Sequence, residues 1–336
     1  MANATGFNFN TRRVLQPLGA VARPAAGGPS APIVLPKVGL LARIWLIIRG
    51  AFVGAAGAPN AFGHASVIRR VRLTLNSGID VWNTSGVGYH YLYRQFHNNY
   101  LNPFPGSTAW NVIAGALAPG EACNVDMLID VALNNRDPVG LINLQSEQVA
   151  AALNIDWEAN AVVDAGGVPT VLTGFTCQPY IEFFTLPSDP ANMPPLNLIH
   201  QVIETQEAVA GAGLYTYNWP RGNIYAGVYH GMGMLAGVGA GADAANAVQI
   251  RSNQSNFPYT AAIPTMLDAD YGQTHGAARR LGTYPLDLLG SSGLGAYGLA
   301  RDMIDSSQLT DLATLLTVTG AGNMMSITRQ LVPLAR

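Results

Sequence analysis

The chain has 336 residues, a formal net charge of −2, and only 11% charged side chains. That balance excludes a general nucleic-acid binder, which would be distinctly basic, and the length exceeds one sandwich and fits two packed domains. A spanning helix is excluded too, because the longest apolar stretch, Val38 to Val53, is interrupted by Arg43 and Arg49, while a span needs about 20 mostly apolar residues.

No secretory signal is expected, since the N-terminus lacks a charged region followed by an apolar run. A surface poor in charge and free of membrane signals points to burial by partner subunits. Lys37 is the only lysine. High genomic GC content accounts for that most simply, and arginine for interface pairing is the second reading.

Residues 1–36 stand apart, with Arg12, Arg13 and Arg23 and no acid. Val14, Leu15, Leu18 and Val21 have near-helical spacing, so a short helix is expected within Thr11 to Ala22, limited by Pro17. PAAGGPSAPIVLP then reads as a linker. Two readings stand for this segment: a disordered tail, or an arm that orders against a neighbouring subunit or an anionic surface. On the second reading Arg12, Arg13 and Arg23 are the membrane or subunit contacts.

From Lys37 onward short segments alternate apolar and polar residues between Gly/Pro/Asn loops. Such alternation marks half-buried strands, because strand side chains alternate faces. Leu40, Ala42, Ile44, Leu46 and Ile48 oppose Arg43 and Arg49. Val71, Leu73 and Leu75 oppose Arg70, Arg72 and Thr74; Val125, Met127, Ile129 and Val131 oppose Asn124, Asp126 and Asp130; Leu153, Ile155 and Trp157 oppose Asn154, Asp156 and Glu158. Strands are expected at 38–53, 66–76, 87–95, 108–117, 123–133, 150–158, 168–175 and 177–185, an eight-stranded jelly roll of two facing sheets.

LPSDPANMPP, Leu186 to Pro195, reads as the linker between domains. Beyond it strands are expected at 197–206, 213–219, 223–232, 246–252, 283–289, 294–300, 311–318 and 326–334, with a long loop from Asn253 to Gly282. The expected fold is all-β: two tandem eight-stranded jelly rolls, a double jelly roll, with a flexible N-terminal arm. The expected division is 1–36 arm, 37–187 first jelly roll and 188–336 second jelly roll.

No catalytic, cofactor or metal site is expected. The histidines (His64, His90, His97, His200, His230, His275) form no zinc spacing. YHYLYRQFH, with His90 and His97, reads as core or interface, not as a stacking surface. Asp268, Asp270 and His275 form the best metal-like cluster, and ordinary turn chemistry explains it better. GMGMLAGVGAG, Gly231 to Gly241, lacks the Lys-Ser/Thr of a phosphate loop, and GSSGLG has no nucleophile-elbow register. Cys123 and Cys177 fall in strand-like runs, which favours buried thiols; spacing alone leaves a disulfide open.

Four stretches carry a resemblance. They are KVGLLARIWLIIRGAF; FGHASVIRRVRLTLNSGIDVWNTSGVGYHYLYR; DPVGLINLQ followed by LNIDW; and PYIEFFTLP followed by LNLIHQVIETQEAVAGAGLYTYNWPRGNIYAGVYHGMG. Their order resembles the double-jelly-roll major capsid proteins of tectivirus type, the lineage of the adenovirus hexon. The resemblance spans most of residues 37–240, and the C-terminal third follows in outline. It implies a bacteriophage major capsid protein that forms pseudo-hexagonal homotrimers in an icosahedral virion shell over an internal membrane. It further implies penton and minor capsid partners, assembly in the host cytoplasm, and an arm lying beneath the capsomer. The loops are short, so tall surface towers are not expected.

The alternatives are a tandem β-sandwich carbohydrate-binding protein and a jelly-roll carbohydrate-active enzyme. The first would carry an export signal; the second wants a Trp-rich cleft with paired acids, and the five Trp are scattered. Deleting residues 1–36 is expected to leave soluble trimers and to impair shell closure or membrane association.

Overall fold

The computed structural model describes residues 11–53, 62–76, 78–93, 121–133, 139–160, 171–234, 243–253, 255–256, 264–275, 279–288 and 303–334. The expected strands at 108–117 and 294–300 lie outside these residues. Early in the chain come β1 (Arg13–Pro17), β2 (Val21–Ala22), β3 (Gly28–Pro29), β4 (Ile33–Val34) and the long β5 (Leu40–Val53). There follow β6 (Ile68–Leu75), β7 (Ile79–Thr84), β8 (Glu121–Asp130), β9 (Ile142–Asn143), β10 (Ala151–Trp157) and β11 (Val171–Phe184). The second half holds β12 (Leu198–Val209), β13 (Gly213–Asn218), β14 (Ile224–Gly231), β15 (Ala245–Ser252) and β16 (Ser255–Asn256). A helix α1 (Pro264–His275) precedes β17 (Thr283–Asp287), β18 (Ile304–Asp305), β19 (Leu312–Val318) and β20 (Gly322–Pro333).

Three sheets result. The first runs β1-β11-β5-β8, with β2 on β11 and β9 on β5. A ten-stranded sheet runs β17-β14-β20-β12-β7-β6-β10-β3, with β18 on β14 and β4 on β10, and the third runs β13-β19-β15-β16. One barrel core lies between the first sheet and the β6, β7, β10 part of the large sheet, joining Ile44, Leu46, Met127 and Ile129 to Val71, Leu73, Leu153 and Ile155. The other lies between the β14, β17, β20 part and the third sheet, with Val228, Tyr284, Val248 and Leu316. These are the two jelly rolls, and they share one sheet.

The joint is a parallel pair. β12 lies beside β7 with Val202 opposite Trp82 and Ile203 opposite Asn83. Every other pairing among the described strands is antiparallel. The first core also takes in Ile199, Val202, Tyr229 and Ile327 from the second half, so apolar packing continues through the joint.

The alternating segments placed their core faces as expected, with Leu153, Ile155 and Trp157 on β10 all buried. Four details differ. The segment expected as a strand over 87–95 is helical: Ser85 caps a turn at Gly86–Gly88, and Tyr89–Tyr93 continues it. Its alternating Tyr residues mimic a strand, yet every residue from Tyr89 to Tyr93 is buried. Glycine is required there, since a Cβ on Gly86 would meet the Ala65 carbonyl oxygen and one on Gly88 the Glu204 carboxylate.

The two strands expected at 168–175 and 177–185 are one, β11, with a register irregularity between Thr173 and Thr176 around Gly174, whose φ is +65°. Gly there makes a bulge and not a turn. The loop expected from Asn253 to Gly282 contains α1. Among the described side chains of α1 only Leu267 and Tyr271, one helical turn apart, are buried, too few to leave a helical period in the sequence. Asp126 and Asp130, expected on an open face of β8, are buried at 1% and 8% exposure because Arg49 and Arg43 reach them from β5.

The short helix expected within Thr11 to Ala22 is strand. β1 pairs antiparallel with β11, Arg13 opposite Phe184, and β2 pairs with the same strand at Cys177. β3 and β4 then pair with β10. Residues 13–34 therefore run from one sheet of the first barrel to the other. Removing residues 1–36 would strip hydrogen-bonded edge strands from both, which corrects the expectation that such a deletion leaves the subunit intact.

Candidate functional site

The three arginines singled out in the sequence sit in different surroundings. Arg12 is exposed, and its backbone amide donates to Thr185 Oγ1 at 2.9 Å. Arg13 is exposed as well and pairs with Glu182 at 2.9 Å. Arg23 is buried; its Nη2 donates to the Glu158 carbonyl and to Asn160 Oδ1, both at 2.6 Å. Arg23 thus fastens the N-terminal segment to the end of β10, with its guanidinium bonded within the subunit.

A cleft of about 950 Å³ opens where the barrels meet. Its polar wall is the face of β6 and β10 opposite their core residues, carrying Arg69, Arg70, Arg72, Asn154 and Asp156, and its apolar wall is Met232, Met234 and Met325. The sequence left open whether Arg69, Arg70 and Arg72 pair across interfaces or cover strand surfaces. Each pairs within the subunit, with Asp156, Glu204 and Asp80 respectively, all at 3.6 Å. The cleft is thereby close to charge-balanced, and among the described residues no histidine or cysteine lines it. Such a wall offers hydrogen bonds to a partner surface.

Beneath the cleft, Glu204 of β12 is buried. Its carboxylate accepts from the Ser85 amide at 2.6 Å, from Ser85 Oγ at 2.8 Å and from Gln206 Nε2 at 2.8 Å. It satisfies an otherwise orphaned donor at the start of the Gly86–Tyr93 helical segment and ties the second barrel to the first. Gln201 Nε2 donates to the Asp80 carbonyl at 2.8 Å, and the Arg280 guanidinium lies 4.0 Å from the centroid of the Tyr91 ring. The joint is crossed by directional polar contacts as well as by apolar packing.

The remaining sequence candidates have structural partners. Asp268 accepts from Arg279 Nε at 2.8 Å, and Arg279 also holds Asp243 at 2.9 Å, keeping the Asp243 carboxyl below the usual range despite partial burial. Asp270 is exposed, and the His275 side chain lies outside the described residues, as do those of His64, His97 and Cys123. Cys177 is a buried free thiol, pushed up by desolvation. His90 packs edge-on to Tyr89 in the core, centroids 4.6 Å apart. GSSGLG and most of the Gly231–Gly241 run also lie outside the described residues.

Sequence reasoning gave no role to Glu204, His200 or Arg329. A signal was present: His200 and Glu204 flank Val202 on one strand face, and Arg329 lies between Ile327 and Leu331 on another. Polar residues in register with core residues are buried by the alternation rule, and burial demands partners.

Two jelly rolls in one chain, fused through a shared sheet, define the double-jelly-roll class. That is the fold of viral major capsid proteins. The chain superposes on the crystal structure of the STIV MCP with a TM-score of 0.70 at 14% identity, covering 96% of this chain and 97% of that one. PBCV-1 VP54, fitted into a cryo-EM reconstruction of the virophage Sputnik, gives 0.67 at 11% identity, covering 96% and 94%. The major capsid protein P2 from bacteriophage PM2 gives 0.58 at 15% identity, covering 97% and 99%. No protein-family model and no curated protein matches the chain.

Proposed function

We propose that the chain is a major capsid protein, a non-catalytic subunit that forms pseudo-hexagonal homotrimers and, from these, an icosahedral virion shell over an internal membrane. Residues 37–187 and 188–336 serve as the bodies of the two barrels, and 1–36 as an arm whose residues 13–34 add edge strands to the first. The observation that carries this reading is the side-by-side fusion of the barrels through the ten-stranded sheet. Two similar barrels per chain, repeated around a three-fold axis, give a closed ring with six similar corners. Many weak edge contacts between such rings add up to a stable shell.

The low charge of the chain suits lateral faces covered by neighbours. Penton and minor capsid proteins would complete the vertices of a bacteriophage-type shell, assembled in the host cytoplasm. Arg12 and Arg13, exposed at the start of β1, are the arginines placed to meet anionic lipid, worth about 1 kcal/mol each near a membrane. Arg13 shares its charge with Glu182, so Arg12 carries more of the attraction.

Expression of the chain alone followed by electron microscopy tests the reading. Hexagonal sheets or closed shells built from trimers are expected; monomers that stay dispersed at high concentration contradict it. Flotation with anionic phospholipid vesicles tests the arm. Removing residues 1–11 and changing Arg12 and Arg13 to Ser should abolish flotation without loss of the trimer, and unchanged flotation would remove the membrane from the proposal.

A further inference from the structure

The joint between the barrels contains a second buried cluster, four residues along β12 from Glu204. Arg329 Nε on β20 donates to His200 Nε2 on β12 at 3.2 Å, and Arg329 Nη2 donates to the Leu133 carbonyl at 2.7 Å. His200 Nδ1 lies 3.1 Å from the Asp130 carbonyl. An arginine N–H only donates, so Nε2 must accept and Nδ1 must carry the proton. The contacts to Asp130 and Leu133 run to the end of β8 and just past it, so Arg329 and His200 clip the second barrel to the first.

Among the described residues, four neighbouring elements contribute a charged or titratable group. β5 brings Arg43, 3.1 Å from the Asp130 carboxylate, and the Tyr89–Tyr93 segment brings the Tyr93 hydroxyl, which donates to Asp130 at 3.3 Å. Tyr229 of β14 and Asp287 of β17 act on Arg329 from the second barrel. His200 is fully buried and Arg329 nearly so, at 0% and 2% exposure. In this arrangement His200 fits only as the neutral imidazole.

We propose that the Arg329–His200–Asp130 clip is an acid-released latch between the two barrels. A proton on His200 Nε2 would point at the Arg329 N–H across 3.2 Å. Two donors and two positive charges would then face each other where water cannot intervene, so the charged form requires the clip to part. Free histidine takes up this proton near pH 6.5, which sets the upper end of the window.

The neighbouring carboxyl does not produce the same effect. Burial holds Asp130 above the usual carboxylate range, so as pH falls it is protonated more readily in the fold than in the open chain. Its titration therefore favours the folded form on acidification, the opposite sign to His200. This inference does not rest on the capsid proposal, and its test uses the isolated full-length chain.

Hydrogen exchange read by mass spectrometry at pH 7.5 and pH 5, corrected for intrinsic rates, is the test. Peptides covering β7 and the first half of β12 should lose at least tenfold more protection at pH 5 than those within β5, over and above any global loss. His200→Gln supplies one acceptor for Arg329 and one donor for the Asp130 carbonyl without a titrating group, and should lose no more protection at the joint than in β5 at pH 5. His230→Gln, inside the second barrel, should leave the acid release at the joint in place. Should His200→Gln not fold, imidazole nitrogen shifts of the wild-type chain decide: a neutral His200 with its proton on Nδ1 at pH 7.5 is expected. Equal protection of the joint at both pH values, acid release in His200→Gln equal to wild type, or an imidazolium at pH 7.5 would each overturn the proposal.

Discussion

Inside the first barrel, Leu46, Ile129, Leu153 and Ile155 meet across two sheets through apolar contact alone. At the joint, Asp130, His200, Glu204 and Arg329 are equally buried but are held by hydrogen bonds and ion pairs. The two regions solve different problems. A barrel interior must hold two sheets together, and non-directional burial does that whatever the fine register. The joint must set one barrel against the other at a fixed register, and directional groups that are costly when misplaced do that better.

The largest effect should come from the barrel interior. Trp157→Ala, at a fully buried site, should cost about 3–5 kcal/mol in urea unfolding. The loss should be the same at pH 7.5 and pH 5.5, since no ionisable group is involved. A strongly pH-dependent loss would mean that the barrel interior and the joint are not separate regimes.

Next comes the joint. Arg329→Met leaves His200 Nε2 and the Leu133 carbonyl without that donor and should cost about 3 kcal/mol. Adding His200→Leu should recover part of that loss, because an apolar pair no longer strands a polar atom. If the double variant is no better than the sum of the singles, the two residues do not act as one unit.

His230 sharpens the comparison from within the second barrel. It is buried, bonded to Ser326 Oγ at 2.7 Å, and pushed down to about 3 by desolvation. A base whose folded value lies below its free value of about 6.5 stabilises the fold above 6.5 and loses that contribution as pH falls toward 3. By pH 5 the loss should reach roughly 2 kcal/mol. In urea titrations, the drop in unfolding free energy from pH 7.5 to pH 5 should be larger in wild type than in His230→Gln by that amount.

The smallest effect belongs to the exposed pairs. Arg72→Gln breaks a contact of 3.6 Å between side chains 50% and 32% exposed, and should change stability by under about 1 kcal/mol. A larger loss in thermal unfolding would make the outer wall of the cleft a stabilising element of the subunit.

The contrast also explains what was legible in the sequence. Period-two alternation exposed β5, β6 and β10 with their core faces, because one side of each meets only apolar neighbours. The same rule misled at Asp126 and Asp130, since β8 is covered on both faces and its acids are met by arginines far away in the chain. At Tyr89–Tyr93 alternating aromatics came from a helical segment buried all round. The polar joint was hidden for a related reason: the partners of Glu204, His200 and Arg329 are 119, 70 and 196 residues distant. No local pattern reports such pairs, and only the misplaced polarity of the residues themselves hints at them.

The measurement that bears most directly on the central claim is the solution mass of the purified chain by light scattering, with negative-stain images of the same sample. A particle of three times 35.4 kDa with a hexagonal outline is the predicted result. A clean monomer of 35.4 kDa that binds or hydrolyses glycans would contradict it.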